Sequence, residues 1–426
     1  MYHDTYPTAS VLMDKSTCMD DFAASVTHDN DIVTIFFEVT SLMNTIHLPM
    51  CKWATNLAHV QDIWRTQGLP LQTKAQVLGI DWDKQSDTIH IDHTDITRAL
   101  PERPATKRHV LQVTPRLYDP LGLFSPVALV GKLIFQDTWT RGLAWDEILP
   151  QDITAKWLSR SSQLHLLSDM HVLRWIGAQN HKLQDCELHV FGDASERAYG
   201  AVLYLKSITD DAVTVRLICS KARLAPIKGV ILPRLEILAA LVATRLLRYF
   251  CQATECDISK ATLWSDSAGA LARTRGDPKR WEKFVCNRVT EIVEYTAPSQ
   301  WRHCPGSQNP TDILSRGLHA HDLSAYHTRR NGPTWFQVTP DHWSRDIRTD
   351  HASTPEKRIT SHQTLTVSTH APLLDVHKFS SYTKLLRVVA WIIRFMRNLR
   401  SADKTLGKLT ASELQATCAT RREHFI

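Results

Sequence analysis

Leu188-His189-Val190-Phe191-Gly192-Asp193-Ala194-Ser195 is a short apolar run that ends in a carboxylate. A run of that length, rich in β-formers and closed by a turn signal, reads as a buried strand with Asp193 at its end. Three later acids stand in equally particular settings. Glu236 lies in Pro233-Arg234-Leu235-Glu236-Ile237-Leu238, Asp266 in Leu263-Trp264-Ser265-Asp266-Ser267, and Asp312 in Asn309-Pro310-Thr311-Asp312-Ile313-Leu314-Ser315-Arg316.

The pattern around these acids predicts one architecture. Strand-like runs at Glu187–Phe191, Gly200–Lys206 and Thr214–Ser220 are spaced as an antiparallel meander. A helix opens at Pro233, a favourable first-turn residue, and shows an apolar face at Ile237, Leu238, Leu241, Val242 and Leu246. A fourth strand at Ala261–Trp264 and a fifth around Gln300–His303 are separated by helical stretches at Ala268–Arg273 and Trp281–Tyr295. A short last helix begins near Asn309. The expected class is α/β and multi-domain, its central domain a mixed five-stranded sheet flanked by helices.

On those elements Asp193 and Asp266 end strands, Glu236 lies in the first turns of a helix, and Asp312 opens the last helix behind Asn309 as its cap. Taken singly, each acid has an ordinary role: a helix cap for Asp312, a strand-end turn for Asp266, a solvated helix acid for Glu236. Taken together, four carboxylates crowded into one place would repel and raise one another's pKa values unless cations neutralise them. Hard divalent ions take oxygen ligands, and a pair of them roughly 3.5–4 Å apart serves phosphodiester hydrolysis. The expected site is therefore Asp193, Glu236, Asp266 and Asp312 as joint catalytic and metal-holding residues, with Mg²⁺ or Mn²⁺ as cofactor. A basic group of Arg273, Arg275, Lys279, Arg280, Lys283 and Arg288, opposed by Asp277 and Glu282, is expected to track phosphates. An ordinary solvated helix face is the plain alternative for it.

The bulk numbers allow this without demanding it. The chain has 426 residues, 43% hydrophobic and 22% charged, so it is globular and long enough for several domains. Its formal charge of +6 permits a polyanionic partner. Nine cysteines follow no disulfide or zinc spacing, with Cys251 and Cys256 the one close pair. No secretory signal opens the chain, and the apolar run Leu385–Met396 is too short to span a bilayer and carries Arg387 and Arg394.

Elsewhere, Met19-Asp20-Asp21 puts two adjacent acids on a hairpin, where only one can face a metal. Val77 to Asp83 and Thr88 to Ile91 read as a hairpin turning through Asp83–Asp87. Leu117 to Pro126 is a turn-rich stretch. Amphipathic helices follow, marked by Val130, Leu133, Ile134 and Trp139 and then by Ile153, Trp157 and Leu164. Asp119, Asp137, Asp146 and Glu147 read there as caps and solvated faces. Residues 326–375 read as a linker anchored at Trp335 and Trp343. Beyond it come a basic amphipathic helix from Phe379 to Leu399 and a capping box at Thr410-Ala411-Ser412-Glu413.

Several of these motifs resemble Pao/BEL-type retrotransposon polyproteins. Met19-Asp20-Asp21 is similar to the reverse transcriptase Asp-Asp motif, with Cys18 where an aromatic residue is common. Lys52-Trp53-Ala54-Thr55-Asn56 and Val77-Leu78-Gly79 resemble the sequence that follows it in this family. The order Asp, Glu, Asp, Asp on first strand, first helix, fourth strand and last helix is similar to ribonuclease H. The loop before Asp312 lacks the histidine that some cellular ribonucleases H carry, and His303 stands too early for it.

The resemblance implies a polymerase remnant over residues 1–95 marked by Asp20 and Asp21, and a helical connection region over 96–180. It implies a ribonuclease H-like domain over 181–325, a linker over 326–375, and a lead-in to a missing integrase domain over 376–426. The implied activity is cleavage of the RNA strand of an RNA–DNA hybrid. Polymerase activity is not implied, since the strand that supplies the partner aspartate has no counterpart here. Other segments of the same polyprotein are implied partners, a membrane is not, and the implied location is a cytoplasmic particle or the nucleus. A catalytically silent, truncated remnant that only binds nucleic acid is the alternative. An aspartic peptidase is the third reading, opposed by the lack of any Asp-Thr-Gly or Asp-Ser-Gly tripeptide.

Overall fold

The computed structural model describes residues 3–18, 21–26, 28–69, 72, 74–77, 79–91, 94–98, 104–176, 183–209, 212–338, 343, 346–347, 356, 379–401 and 403–419. The chain falls into two compact units, Met1–Arg358 and Ile359–Ile426.

The first unit opens with helix α1 (Pro7–Ser16), a two-residue hairpin of β1 (Thr17–Cys18) and β2 (Asp21–Phe22), and helices α2 (Asp29–Thr45) and α3 (Ala58–Thr66). Trp53 from the Lys52–Asn56 motif packs edge-on against Phe36, with ring centroids 4.9 Å apart. Asp21 is exposed on its hairpin, and Asp20 lies outside the described residues. Strands β3 (Ala75–Val77), β4 (Ile80–Asp83), β5 (Thr88–His90) and β6 (Val172–Leu173) form an antiparallel sheet in that order. The hairpin at Asp83–Asp87 forms as its turn residues predict. Asp87 adopts a left-handed φ of 50° and takes a forked pair of hydrogen bonds from Arg174, at 2.7 and 3.1 Å.

Helices α4 (Thr94–Arg98), α5 (Lys107–Val113), α6 (Ser125–Thr140) and α7 (Gln151–Ser161) build a helical segment ahead of the central sheet. Its turn-rich start has a structural use. The Asp119 carboxylate accepts from the backbone N–H of Leu123 and Phe124, at 2.8 and 2.9 Å. This shapes a loop that lies on the outer strand of the central sheet. Gly122 has a φ of +73°, and a Cβ there would sit 2.0 Å from the carbonyl oxygen of Ser220, so only glycine fits. Ser220 N–H donates to Leu121 O at 2.8 Å, and buried Arg329 bonds both Gly122 O and Ser220 Oγ, at 2.9 and 2.8 Å. Covering an edge strand in this way removes an open pairing surface.

The central sheet comprises β7 (Glu187–Ala194), β8 (Ala198–Ile208), β9 (Val213–Leu224), β10 (Thr262–Ser265) and β11 (Trp301–His303), ordered β11-β10-β7-β8-β9. The meander β7-β8-β9 is antiparallel, while β10 runs parallel to both β7 and β11. This is the mixed five-stranded sheet expected. Its strands alternate faces. Leu188, Val190, Ala201, Leu203 and Leu205 share a core with helix α8 (Leu232–Thr254), through Leu235, Ala239, Ala243 and Leu247. The other set, Phe191, Val202, Tyr204 and Trp264, packs with Phe336, Trp335 and Trp343. Trp335 and Trp343 therefore anchor the downstream segment on the sheet.

Helices α9 (Ala268–Arg275), α10 (Lys283–Tyr295), α11 (Asp312–Arg316), α12 (Ala320–Ala325) and α13 (His327–Asn331) complete the first unit's helices. Ile313, Ala320 and Leu323 share a core with Val113, Leu123, Ile134, Ile153 and Trp157, so α11 and α12 pack against α5, α6 and α7.

In the second unit, α14 (Tyr382–Arg400) meets α15 (Ala411–Ala419) through Arg394, whose Nε donates to Glu413 Oε1 at 2.7 Å. The capping box forms: Glu413 Oε2 accepts from Thr410 N–H at 2.8 Å, and Thr410 Oγ1 accepts from Glu413 N–H at 3.4 Å. Among the described residues no helix is long and apolar enough to cross a membrane. Cys51, Cys186, Cys219, Cys251, Cys256, Cys286 and Cys304 are free.

Candidate metal centre

Asp193, Glu236 and Asp266 come together at the end of the parallel pair β7 and β10. One carboxylate oxygen from each lies within 4.8 Å of the others. Asp193 is brought there by the strand, buried along its length because it is central to the sheet. Glu236 is brought by the second turn of α8, which crosses the sheet on small residues. A Cβ on Gly192 would sit 3.4 Å from the backbone of Ala239, so the bare glycine lets the helix pack close to the strand. Asp266 follows β10 in a turn held by two serines. Ser267 N–H donates to Ser265 Oγ at 3.2 Å, and Ser267 Oγ caps α9 by accepting from Ala270 N–H at 3.1 Å.

Neighbouring side chains fix these acids. Ser315 Oγ donates to Asp193 Oδ2 at 2.5 Å, and Ser195 Oγ donates to Ser315 O at 2.7 Å, tying the strand end to α11. Asn309 is 1% exposed; its Nδ2 donates to Gly192 O at 3.3 Å and its Oδ1 accepts from Thr311 N–H at 3.0 Å. Asn309 thus caps the turn before α11, whereas the sequence pattern made it the cap of the helix itself. A Cβ on Gly306 would sit 3.1 Å from Asp266 Oδ2, so this loop passes against the carboxylate with no side chain between.

Asp312 opens α11 but stands outside the group of three. Its carboxylate accepts from Arg316 Nε at 2.6 Å and is 36% exposed, on the rim. Its charge still reaches Asp193 and Asp266 and raises both.

Burial and mutual repulsion dominate the electrostatics. Burial first, then the charge of Asp266, pushes Asp193 up to about 7, against the bond from Ser315. Burial and the charges of Asp193 and Asp266 push Glu236 up to about 9, tempered by Arg273. Burial also raises Asp266. Glu236 Oε2 and Asp266 Oδ1 are buried without a hydrogen-bond partner. Buried acceptors in a native fold are ordinarily satisfied. Three convergent carboxylates with orphaned oxygens are the donor set of a hard divalent cation, so the residues present fit the expected ion.

The expected phosphate-tracking group divides. Arg273 is fully buried: it donates to Pro233 O at 2.6 Å and lies 3.7 Å from Glu356, so it ties α9 to the start of α8 and is corrected from a nucleic-acid ligand to a positioning residue. Arg275 is likewise corrected, because it bonds Trp301 O, Ile347 O and both oxygens of Asp346. Arg288 lies over the Phe284 ring, 3.9 Å from its centroid. Lys279, Arg280 and Lys283 are exposed. The sequence pattern does not single out Ser315, although it follows Asp312 by three residues, the spacing that puts two side chains on one helical face.

Residues 106–267 match the model of the Pao retrotransposon-like RNaseH-like domain. No curated protein matches the chain. Among solved structures, the foamy viral protease-reverse transcriptase dRH in complex with double-stranded DNA is similar at 10% identity and a TM-score of 0.41. That match covers 70% of this chain and 48% of the viral one. A second foamy viral protease-reverse transcriptase complex with DNA matches at 10% identity and a TM-score of 0.38, over 67% and 60% of the two chains. RNase H1 from the halophilic archaeon Halobacterium salinarum NRC-1 matches at 11% identity and a TM-score of 0.20, over 29% and 88%. The chain thus spans about half the length of the first of these proteins.

Proposed function

We propose, for a chain that carries the RNase H-like domain of a Pao-type retrotransposon, that this domain hydrolyses the RNA strand of an RNA–DNA hybrid with divalent cations. The convergence of Asp193, Glu236 and Asp266 with two orphaned oxygens carries this reading. These three would hold the cation, with Asp312 at the rim as a further ligand. A bound divalent ion supplies the positive charge that offsets charge developing on the scissile phosphate and makes a water acidic enough to attack it. Mg²⁺ suits an all-oxygen set, and Mn²⁺ is its closest substitute.

The protein's own groups do the rest. Ser315 holds Asp193 in one rotamer and Asn309 braces the strand end behind it. Arg273 bears on Glu236 through Pro233 and through its charge. Lys279, Arg280 and Lys283 offer exposed positive charge to the backbone, while hybrid recognition rests on groove shape and 2′-hydroxyls. The segments 1–95, 96–180, 181–325, 326–375 and 376–426 are proposed as polymerase remnant, connection region, ribonuclease H-like domain, linker and integrase lead-in, and a cytoplasmic particle or the nucleus as the location.

The test uses the full chain and hybrids labelled on either strand. With Mg²⁺ the RNA strand is cut and the DNA strand is not; Asp193→Asn removes the cutting and keeps the fold. Binding of hybrid with no cleavage in Mg²⁺ or Mn²⁺ would favour the silent remnant.

A further inference from the structure

Arg160, in the last turn of α7, is 2% exposed, and Nε, Nη1 and Nη2 all lack a hydrogen-bond partner. Other buried arginines of this unit are served differently. Arg329 donates to Gly122 O and Ser220 Oγ, and Arg273 donates to Pro233 O. Around Arg160, the Trp157 ring lies 5.5 Å from the guanidinium carbon. Such a ring covers one face of the plane and takes none of the in-plane N–H bonds. The Arg160 pKa is lowered by burial alone, to about 10, so no carboxylate stands near enough to offset it and the group stays protonated at neutral pH.

This charge packs directly against a glycine. A Cβ on Gly131 of α6 would lie 2.9 Å from Arg160 Cζ, 3.0 Å from Nε and 2.9 Å from Thr114 Cγ2. Arg160 and Thr114 therefore meet over the bare Cα of Gly131. Thr114 Oγ1 is buried and also without a partner. Glycine inside a helix costs about 1 kcal/mol relative to alanine, and here it lets the guanidinium and Thr114 close in on the α6 backbone. A buried charge with neither counter-ion nor acceptor is among the most unfavourable arrangements in a protein interior. A planar fork of unpaired donors is what an anion binds.

We propose that Arg160 and Thr114, over Gly131, form a buried seat for a small inorganic anion, chloride or an oxyanion, between α6 and α7. It is separate from the carboxylate centre and does not depend on the reading of that centre.

The experiment is thermal melting of the full chain at constant ionic strength, with gluconate, a bulky organic anion, exchanged stepwise for chloride, sulfate or phosphate. For the anion that binds, the melting temperature rises saturably, by on the order of 3 °C over a hundredfold increase in concentration. Arg160→Met loses that rise. If Arg160→Met does not fold, Arg160→Lys, with fewer donors, shows a weaker rise. Line broadening of ³⁵Cl by the wild type, reversed by the preferred anion, reports binding directly. Equal melting temperatures in all anions, or an anion-specific rise that survives in Arg160→Met, would overturn the proposal.

Discussion

Glu236 shows what a cluster of buried carboxylates demands of a single residue. Its carboxylate is pushed up to about 9 by burial and by two neighbouring acids, so without a cation it is held as the neutral acid. Glu236→Gln keeps the shape and discards the charge. The substitution should raise the stability of the metal-free protein at pH 8 by about 2–4 kcal/mol, since each pKa unit is worth roughly 1.4 kcal/mol, and abolish Mg²⁺-dependent cleavage; denaturant melts and a cleavage assay check the two halves. Ser315→Ala removes the 2.5 Å bond to Asp193. Cleavage should fall about tenfold with little change in melting, as expected for a lost orienting bond; an unchanged rate would show that Asp193 is held without it.

Titration of the same residues sets a pH dependence. Asp193 and Glu236 titrate near 4 in an unfolded chain and are raised to about 7 and about 9 in the fold. The folded state thus holds more protons, and stability falls as pH rises from about 4 through those values. A cation displaces the protons and removes the loss. Stabilisation by Mg²⁺ should therefore be larger at pH 8 than at pH 5.5; melting curves with and without Mg²⁺ that differ equally at both pH values would contradict this.

At the scale of elements, Gly122 and the Asp119 loop hold the helical segment α5–α7 on the edge of the sheet. Gly122→Ala puts a methyl 2.0 Å from Ser220 O and at a positive φ, and should destabilise the first unit by about 3 kcal/mol or more, measurable by denaturant unfolding. Elements were legible where one physical signal sufficed. The apolar runs of β7 and β10, the proline opening α8 and the Asp83–Asp87 turn all stand in the structure at or near their expected limits. Strands β3 and β6 were not legible, because two or three residues carry no periodicity and β6 pairs with β5 across more than eighty residues. Arg273 was misread for a related reason. A helix arginine followed by Thr274 and Arg275 looks solvated until the packing of α9 against the start of α8 turns it inward.

At the scale of the whole molecule, the order of four acids along the chain marked the site, and the structure separates them into three that converge and one on the rim. On the rim Asp312 pairs with Arg316 within α11, a contact the spacing of the acids does not encode. The surface charge is mild overall, at +6, so binding of a polyanion must rest on local groups. Replacing Lys279, Arg280 and Lys283 together by glutamine should weaken hybrid binding similarly for all sequences and reduce the dependence of log K on log salt by about 1 for each phosphate no longer neutralised. An unchanged salt slope would place the nucleic acid elsewhere.

The most direct test of the carboxylate centre is a calorimetric titration of the full chain with Mn²⁺ at pH 8, wild type against Asp193→Asn. Wild type should bind saturably and release protons, as a site built from raised carboxylates must, and Asp193→Asn should lose that binding while melting as a folded protein. Equal Mn²⁺ binding by both, or none by the wild type, would contradict the assignment of Asp193, Glu236 and Asp266 as a metal centre.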